Sequence, residues 1–290
     1  MAEQFPNLIN VRTVRISIDD KFNWIVEHWG TALEQIMLPV VYLLIGIEDF
    51  LLWLPWYAVI AVIAMIGFAA TRSWKTVAGL SAMMFLVGVF GLWVPGMKTI
   101  ALMLAATLFA VVIGIPLGIW MSRSNRVERI ILPVLDIMQT MPIFVYLIPF
   151  VMLFGPGKIP ALLATIVFAV PPAIRLTNLG IRQVDREVLE AYTAFGATNR
   201  QLLFGVQVPL AMPTIMAGIN QTTMMALSMV VIASMIGAGG LGYKVLQGIQ
   251  RLEISLGLLA GLAIVFLAII FDRIAQGYGK RMQQHLHQVH

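Results

Sequence analysis

Residues 190–209 read EAYTAFGATNRQLLFGVQVP. Apolar runs flank this stretch on both sides, yet it mixes Glu, Thr, Asn, Arg and Gln, with Gly196 near its middle and Pro209 at its end. From Arg186 to Phe204 there is no proline, and Leu189, Tyr192 and Phe195 recur at i, i+3 and i+6, which puts them on one face of a helix. Gly196 interrupts that helix, and Asn199 can open a second one. Pro209 precedes the next apolar run, and Pro213 falls in its first turn. The stretch therefore reads as a short amphipathic helix, a glycine bend and a return helix. On periodicity alone it is a loop helix at a membrane surface.

The membrane enters through composition. The 290-residue chain is 60% hydrophobic and 11% charged, less than half of the roughly 25% charge that a soluble domain carries. That is the composition of a polytopic membrane protein. The net charge of +5 is small and scattered; it reads as a topology signal and not as a nucleic-acid surface. The absence of cysteine rules out disulfides, thiolate nucleophiles and thiolate metal sites. The N-terminal MAEQFPNLINVRTVRISIDDKFNW has no basic region followed by a short apolar run, so no cleavable signal peptide is expected.

A transmembrane helix needs about 20 apolar residues. Uncharged runs near that size occur at 50–71, 76–97, 99–121, 137–157, 159–174 (with Arg175 snorkelling) and 254–271. The run 201–243 is about two spans long, and is expected to hold one span plus non-spanning chain. The expectation is an all-α bundle of about seven transmembrane helices. The segment Trp24–Asp49 has helical apolar spacing, but its uncharged core is short and contains Pro39, so it reads as an amphipathic surface helix. The expected divisions are 1–49 for the tail and surface helix, and 50–96 for accessory helices. A core of 97–281 follows, containing the polar loop 182–209, with 282–290 as a tail. Lys and Arg are in excess in the loops that hold Arg72, Arg123, Arg182 and Arg200, which places those loops, the polar loop and the C-terminus in the cytoplasm. Lys98, Lys158 and Lys244 then lie outside.

Catalytic motifs are missing. No G-x-x-x-x-G-K-[ST] phosphate loop occurs, and Gly155-Pro156-Gly157-Lys158 lacks the upstream glycine. The four histidines avoid the expected spans, and the terminal His285, His287 and His290 read as a solvated tail. No metal or catalytic site is expected in this chain. Uphill transport would draw on an ion gradient or on a partner.

The spacing Glu190-Ala191-Tyr192, three residues, Gly196, nine residues, Val206-Gln207-Val208-Pro209 resembles the EAA motif of ABC importer permeases, E-A-A-x3-G-x9-I-x-L-P. Tyr192 replaces the second Ala and adds bulk. Asp136 through Pro142, Phe168 through Arg175 and Pro209 through Gly242 resemble the glycine betaine/proline betaine branch, whose relatives carry choline, carnitine, histidine or trimethylamine N-oxide. The resemblance is strong over roughly 97–280. It implies an ABC importer permease fold in the inner (plasma) membrane and a permease homodimer. It also implies a cytoplasmic ABC ATPase that binds ATP and Mg, and a periplasmic or extracellular substrate-binding protein. Glu190, Ala191, Tyr192, Gly196 and Pro209 would then belong to the helix that couples to the ATPase.

Polar groups in lipid are costly and face a cavity or a bundle interior. Gln139 and Thr140, next to a kink expected at Pro142, are candidate lining residues of the path, as are Asn220, Gln221 and Ser228. Phe144 and Tyr146 could offer aromatic faces to a quaternary ammonium. Interhelical hydrogen bonding and ordinary packing would explain the same residues. Asp136 is expected to pair with Arg129, Arg175 or a helix N-terminus. The rival reading, an ion-coupled transporter or channel, would need midplane acidic residues and inverted repeats.

Overall fold

The structure is a computed structural model that describes residues 10–287. The start of the expected N-terminal tail and His290 of the C-terminal tail lie outside the described residues. Every regular element among the described residues is a helix.

Helix α1 is Val11–Trp53, capped by Asn10, whose side chain accepts from the Arg12 N–H. It is followed by α2 (Trp56–Thr71), α3 (Trp74–Val89) and α4 (Trp93–Arg123). Ser124 caps α5 (Asn125–Thr140) by accepting from the Val127 N–H. Pro142 stands at the N-cap of α6 (Ile143–Phe154), and the axes of α5 and α6 meet at 94°. The kink expected at Pro142 is therefore present, and it divides the apolar run 137–157 between two helices. Then come α7 (Lys158–Arg182), α8 (Arg186–Ala194) and α9 (Asn199–Leu202). Helix α10 (Val208–Ala233) is followed by a wide turn over Ser234–Ala238, α11 (Leu241–Arg251) and α12 (Ile254–His287). The long run 201–243 thus holds one span-length helix and additional chain, as its length required.

Helices α4, α7 and α10 form the centre, with α7 packed along both others. Close approach depends on missing side chains. A Cβ on Gly114 would stand 2.6 Å from the Ala173 Cβ, and one on Gly118 would stand 2.7 Å from the Ile174 carbonyl oxygen. Membrane helices associate through such small-residue contacts, since lipid gives no hydrophobic drive between them. Leu44 of α1 and Tyr146 and Leu147 of α6 close one side of this core. A second apolar cluster joins α2, α3 and α12 through Val59, Leu80, Met84, Ala263 and Leu267.

Among the described residues, five helices are long and apolar enough to cross a membrane, or six if the bent α5–α6 pair is one span. The expected count of seven differs from this for two reasons. Helices α2 and α3 have 16 residues each, about 24 Å of rise, against a hydrocarbon core of about 30 Å. Their hairpin nonetheless carries interface-type residues at both ends, exposed Trp56 at one and exposed Trp74 at the other. The second reason is α1. The expected surface segment Trp24–Asp49 lies inside one continuous 43-residue helix that passes the length and hydropathy test for a span. Glu48 and Asp49 end its uncharged core. Glu48 is buried with its charge paired.

Candidate coupling loop and its polar anchors

Helix α8 begins at Asp185, whose carboxylate accepts from the Glu187 N–H at 2.9 Å. Glu187 lies in the first turn, where the helix dipole favours an anion. The helix ends at Phe195 and Gly196; Gly196 has φ +82°, a left-handed conformation in which a Cβ is unfavourable. A capping box then starts α9: Thr198 accepts from the Gln201 N–H while the Gln201 side chain accepts from the Thr198 N–H. Thr198 is the cap, one residue before the Asn199 expected from the sequence. The chain runs on through a wide turn, Leu203–Gln207, in which Val208 donates to the Leu203 carbonyl. Pro209 has no N–H to continue the normal ladder, and the wide turn lies directly before it. Pro209 is consequently inside the first turn of α10, and Pro213 falls in the second turn instead of the first.

This loop has two faces. Leu203 and Ile181 are buried with Ala211 and Ile215, which fastens the return segment to the bundle. Val206 is buried as well. The other face is open. No residue of α8 is buried, and Tyr192, Phe195 (93% exposed) and Phe204 project outward. These aromatics, with Gly196, Ala197, Gln201 and Gly205, line a groove of about 670 Å3. Glu190 and Ala191 are exposed beside it.

Just before the loop, Arg182 closes the end of α7. Its guanidinium donates to the Asn178 side chain (3.0 Å), the Asn125 side chain (2.8 Å) and the Met121 carbonyl (3.0 Å). It also pairs with Glu128 at 3.0 Å. Glu128 in turn accepts from the Asn178 amide. Three helix ends, those of α4, α5 and α7, therefore meet at one planar cation. Sequence counting treated Arg182 only as a loop charge. Its spacing of four from Asn178 was the available signal.

The remaining candidates lie on α5, α6 and α10. Asp136 pairs with Arg175, one of the partners expected for it. Gln139, Thr140, Phe144, Gln221 and Ser228 are exposed, Asn220 is half-buried, and Tyr146 is buried with an edge-to-face contact to Phe168. The hydroxyls of Thr140 and Ser228 bond back to the carbonyls of Ile137 and Met224 in their own helices. Among the described residues no hydrogen bond joins any two of these seven. The Tyr146 hydroxyl and the Asn220 amide oxygen are buried without a partner.

At the opposite end of α7, Lys158 pairs with Glu48 at 2.7 Å, and Lys98 of α4 approaches the same carboxylate at 3.8 Å. Lys98 and Lys158 were expected as outer loop charges. In the structure they lie in the second turn of α4 and the first turn of α7 and bind α1 to both.

Residues 110–284 match the family described as binding-protein-dependent transport system inner membrane component. The chain is 51% identical to the glycine betaine/proline betaine transport system permease protein ProW of Escherichia coli (strain K12), over 91% of this chain and 74% of the relative. It is 43% identical to the glycine betaine transport system permease protein OpuAB of Bacillus subtilis (strain 168), over 89% of this chain and 92% of the relative. Among solved structures, an inward-facing conformation of the MetNI methionine ABC transporter superimposes with a TM-score of 0.57 at 22% identity. It covers 69% of this chain and 98% of that one.

Proposed function

Since this chain belongs to the binding-protein-dependent transport system inner membrane component family, we propose that its α8–α9 loop docks a cytoplasmic ATPase, and that its cargo is glycine betaine, proline betaine or a related quaternary ammonium osmolyte. The chain is the multi-pass permease subunit of an ABC importer. The ATPase binds ATP and Mg, and a substrate-binding protein delivers cargo on the far side. The C-terminus shares the cytoplasmic side with the loop, and two copies of the chain enclose the path. The names of the relatives at 43% and 51% identity support the cargo.

The observation that carries the docking role is α8 itself. It has nine residues and buries none of them, whereas isolated helices below about 12 residues are marginal in water. A short helix presenting Tyr192, Phe195 and a groove needs a partner surface. Glu190, Ala191 and Tyr192 of the EAA pattern lie on α8, Gly196 follows it and Pro209 opens α10.

Coupling requires two bundle states of different stability, and an ATPase conformation that binds one of them better. The loop suits this task. Leu203 and Val206 make it one body with α10, and Arg182 makes it one with α4, α5 and α7. Movement of the docked ATPase is thus delivered to helix axes and not absorbed in slack chain. Exposed Gln139, Thr140, Gln221 and Ser228 would be costly against lipid, so they line the path or face the second copy. Phe144 and Tyr146 supply aromatic surface to a cation. The rival ion-coupled reading is not favoured: the embedded carboxylates of Asp136 and Glu48 are both tied to basic side chains.

Co-purification of the ATPase with wild type, Gly196→Asp and Glu190→Lys tests the docking role. Loss of ATPase and uptake is expected in both variants, and retention of both activities in both variants would sink it. Competition of uptake by glycine betaine, choline, carnitine and histidine tests the cargo. Strongest competition by histidine would exclude a quaternary ammonium.

A further inference from the structure

The break between α10 and α11 packs on the helix starts that carry Lys98 and Lys158. After Ala233 the chain leaves helical geometry: Ile236 has φ −103°, ψ 33°, and Gly237 has φ 99°, ψ 0°. Gly239 and Gly240 follow at φ 74° and 96°. Such a run of positive φ is open to glycine and strained for other residues, which makes it the most easily re-formed backbone in the core.

This segment rests on the two helix starts that carry the lysines. A Cβ on Gly237 would stand 3.3 Å from the Gly157 nitrogen, so its backbone touches the residue directly before Lys158. A Cβ on Gly239 would stand 3.8 Å from Cδ of Lys98. Thr99 Oγ1 accepts from the Leu241 N–H at 2.9 Å, fixing the start of α11 to the residue after Lys98.

Lys158 is the first residue of α7, at the positive end of its dipole, where a cation is disfavoured, and Lys98 lies in the second turn of α4. Glu48 offsets this repulsion. Its side chain is 8% exposed, and it meets Lys158 at 2.7 Å and Lys98 at 3.8 Å. It comes from α1, outside the central helices.

We propose that Glu48 is a latch: it draws the starts of α4 and α7 together beneath the glycine break, and its ion pairs set how readily that end of the bundle opens. Glu48 is a positioning residue that acts through Lys98 and Lys158. Without its charge, the two cations repel each other, Lys158 opposes the dipole of α7, and the Ser234–Gly240 segment loses its platform. The latch rests on the permease reading only for its transport consequence.

The sequence has no cysteine, so one introduced thiol is a clean reporter. Ala238 is 7% exposed within the break. The full chain carrying Ala238→Cys, reconstituted in lipid nanodiscs without nucleotide, is labelled with a membrane-impermeant maleimide. Adding Glu48→Gln, which keeps shape and removes charge, raises the labelling rate about tenfold, the scale of a single coupling interaction. The exchange Glu48→Lys with Lys158→Glu restores slow labelling. Equal rates with and without Glu48→Gln would overturn the latch, as would fast labelling in the exchange variant. If Glu48→Gln fails to assemble, Lys158→Gln replaces it, with a smaller rise expected and no rise contradicting the proposal. Because nucleotide and ATPase are absent, the outcome does not depend on where the ATPase docks.

Discussion

The two ends of α7 are both closed by charged side chains, and they are closed in opposite ways. Arg182 lies in the last turn, where the helix dipole favours a cation, and its fork reaches three further groups besides Glu128. Glu128 lies in the first turn of α5, where an anion is favoured. Every term at this end has the same sign. Lys158 opens the same helix, where a cation is disfavoured, and is held by one carboxylate delivered from α1. A planar guanidinium with several fixed partners makes a rigid joint, while an ammonium on a flexible stem makes a releasable one. The end beside the α8–α9 loop is thus built to transmit displacement. The end beside the glycine break is built to respond to it.

Removing the rigid joint gives the largest effect. Arg182→Ala leaves Glu128 and Asn178 without their cation, and should destabilise the chain by about 3 kcal/mol, with uptake lost. Thermal unfolding of the detergent-solubilised protein measures the first and vesicle uptake the second. Arg182→Lys keeps charge but not the fork, so an intermediate loss is expected; full stability in Arg182→Lys would refute the joint. Wedging the helices apart comes next. Gly118→Val places methyls against the Ile174 carbonyl and Thr177, an overpacking worth about 2 kcal/mol in the same unfolding assay. Thr198→Ala removes the capping box at a cost of about 1 kcal/mol, seen as faster amide exchange over 199–207 with the bundle unchanged. The smallest effect belongs to Tyr192→Ala, which restores the residue of the EAA pattern at an exposed site. Stability should stay within about 0.5 kcal/mol of wild type; a larger change would mean that Tyr192 packs within the chain.

What could be read from sequence followed a physical divide. The α8–glycine–α9 pattern, the kink at Pro142 and the extra chain after α10 are local features, and spacing revealed them. Pairs made across the fold were not fixed by it: for Asp136, 39 residues from Arg175, sequence offered three alternative partners. Glu48 lies 110 residues from Lys158, and in one-dimensional counting a charge merely ends an apolar run. That is why the uncharged core of Trp24–Asp49 read as too short to span. A weak signal existed: Leu44, Glu48 and Leu51 fall at i, i+4 and i+7, which puts the carboxylate on the core-facing stripe. The shortness of α2 and α3 was hidden because apolar runs include loop residues such as Leu54, Pro55 and Phe90, which helix boundaries exclude.

The central claim is that the polar loop exists for a partner and not for this chain's own stability. Phe195 tests it most directly, because it is 93% exposed and its truncation removes almost no contact within the chain. Affinity of the purified ATPase for the nanodisc-embedded permease should fall about tenfold or more in Phe195→Ala, as for an aromatic at the centre of an interface, while the unfolding temperature of the permease alone stays unchanged. Wild-type affinity in Phe195→Ala, with uptake intact, would contradict the account.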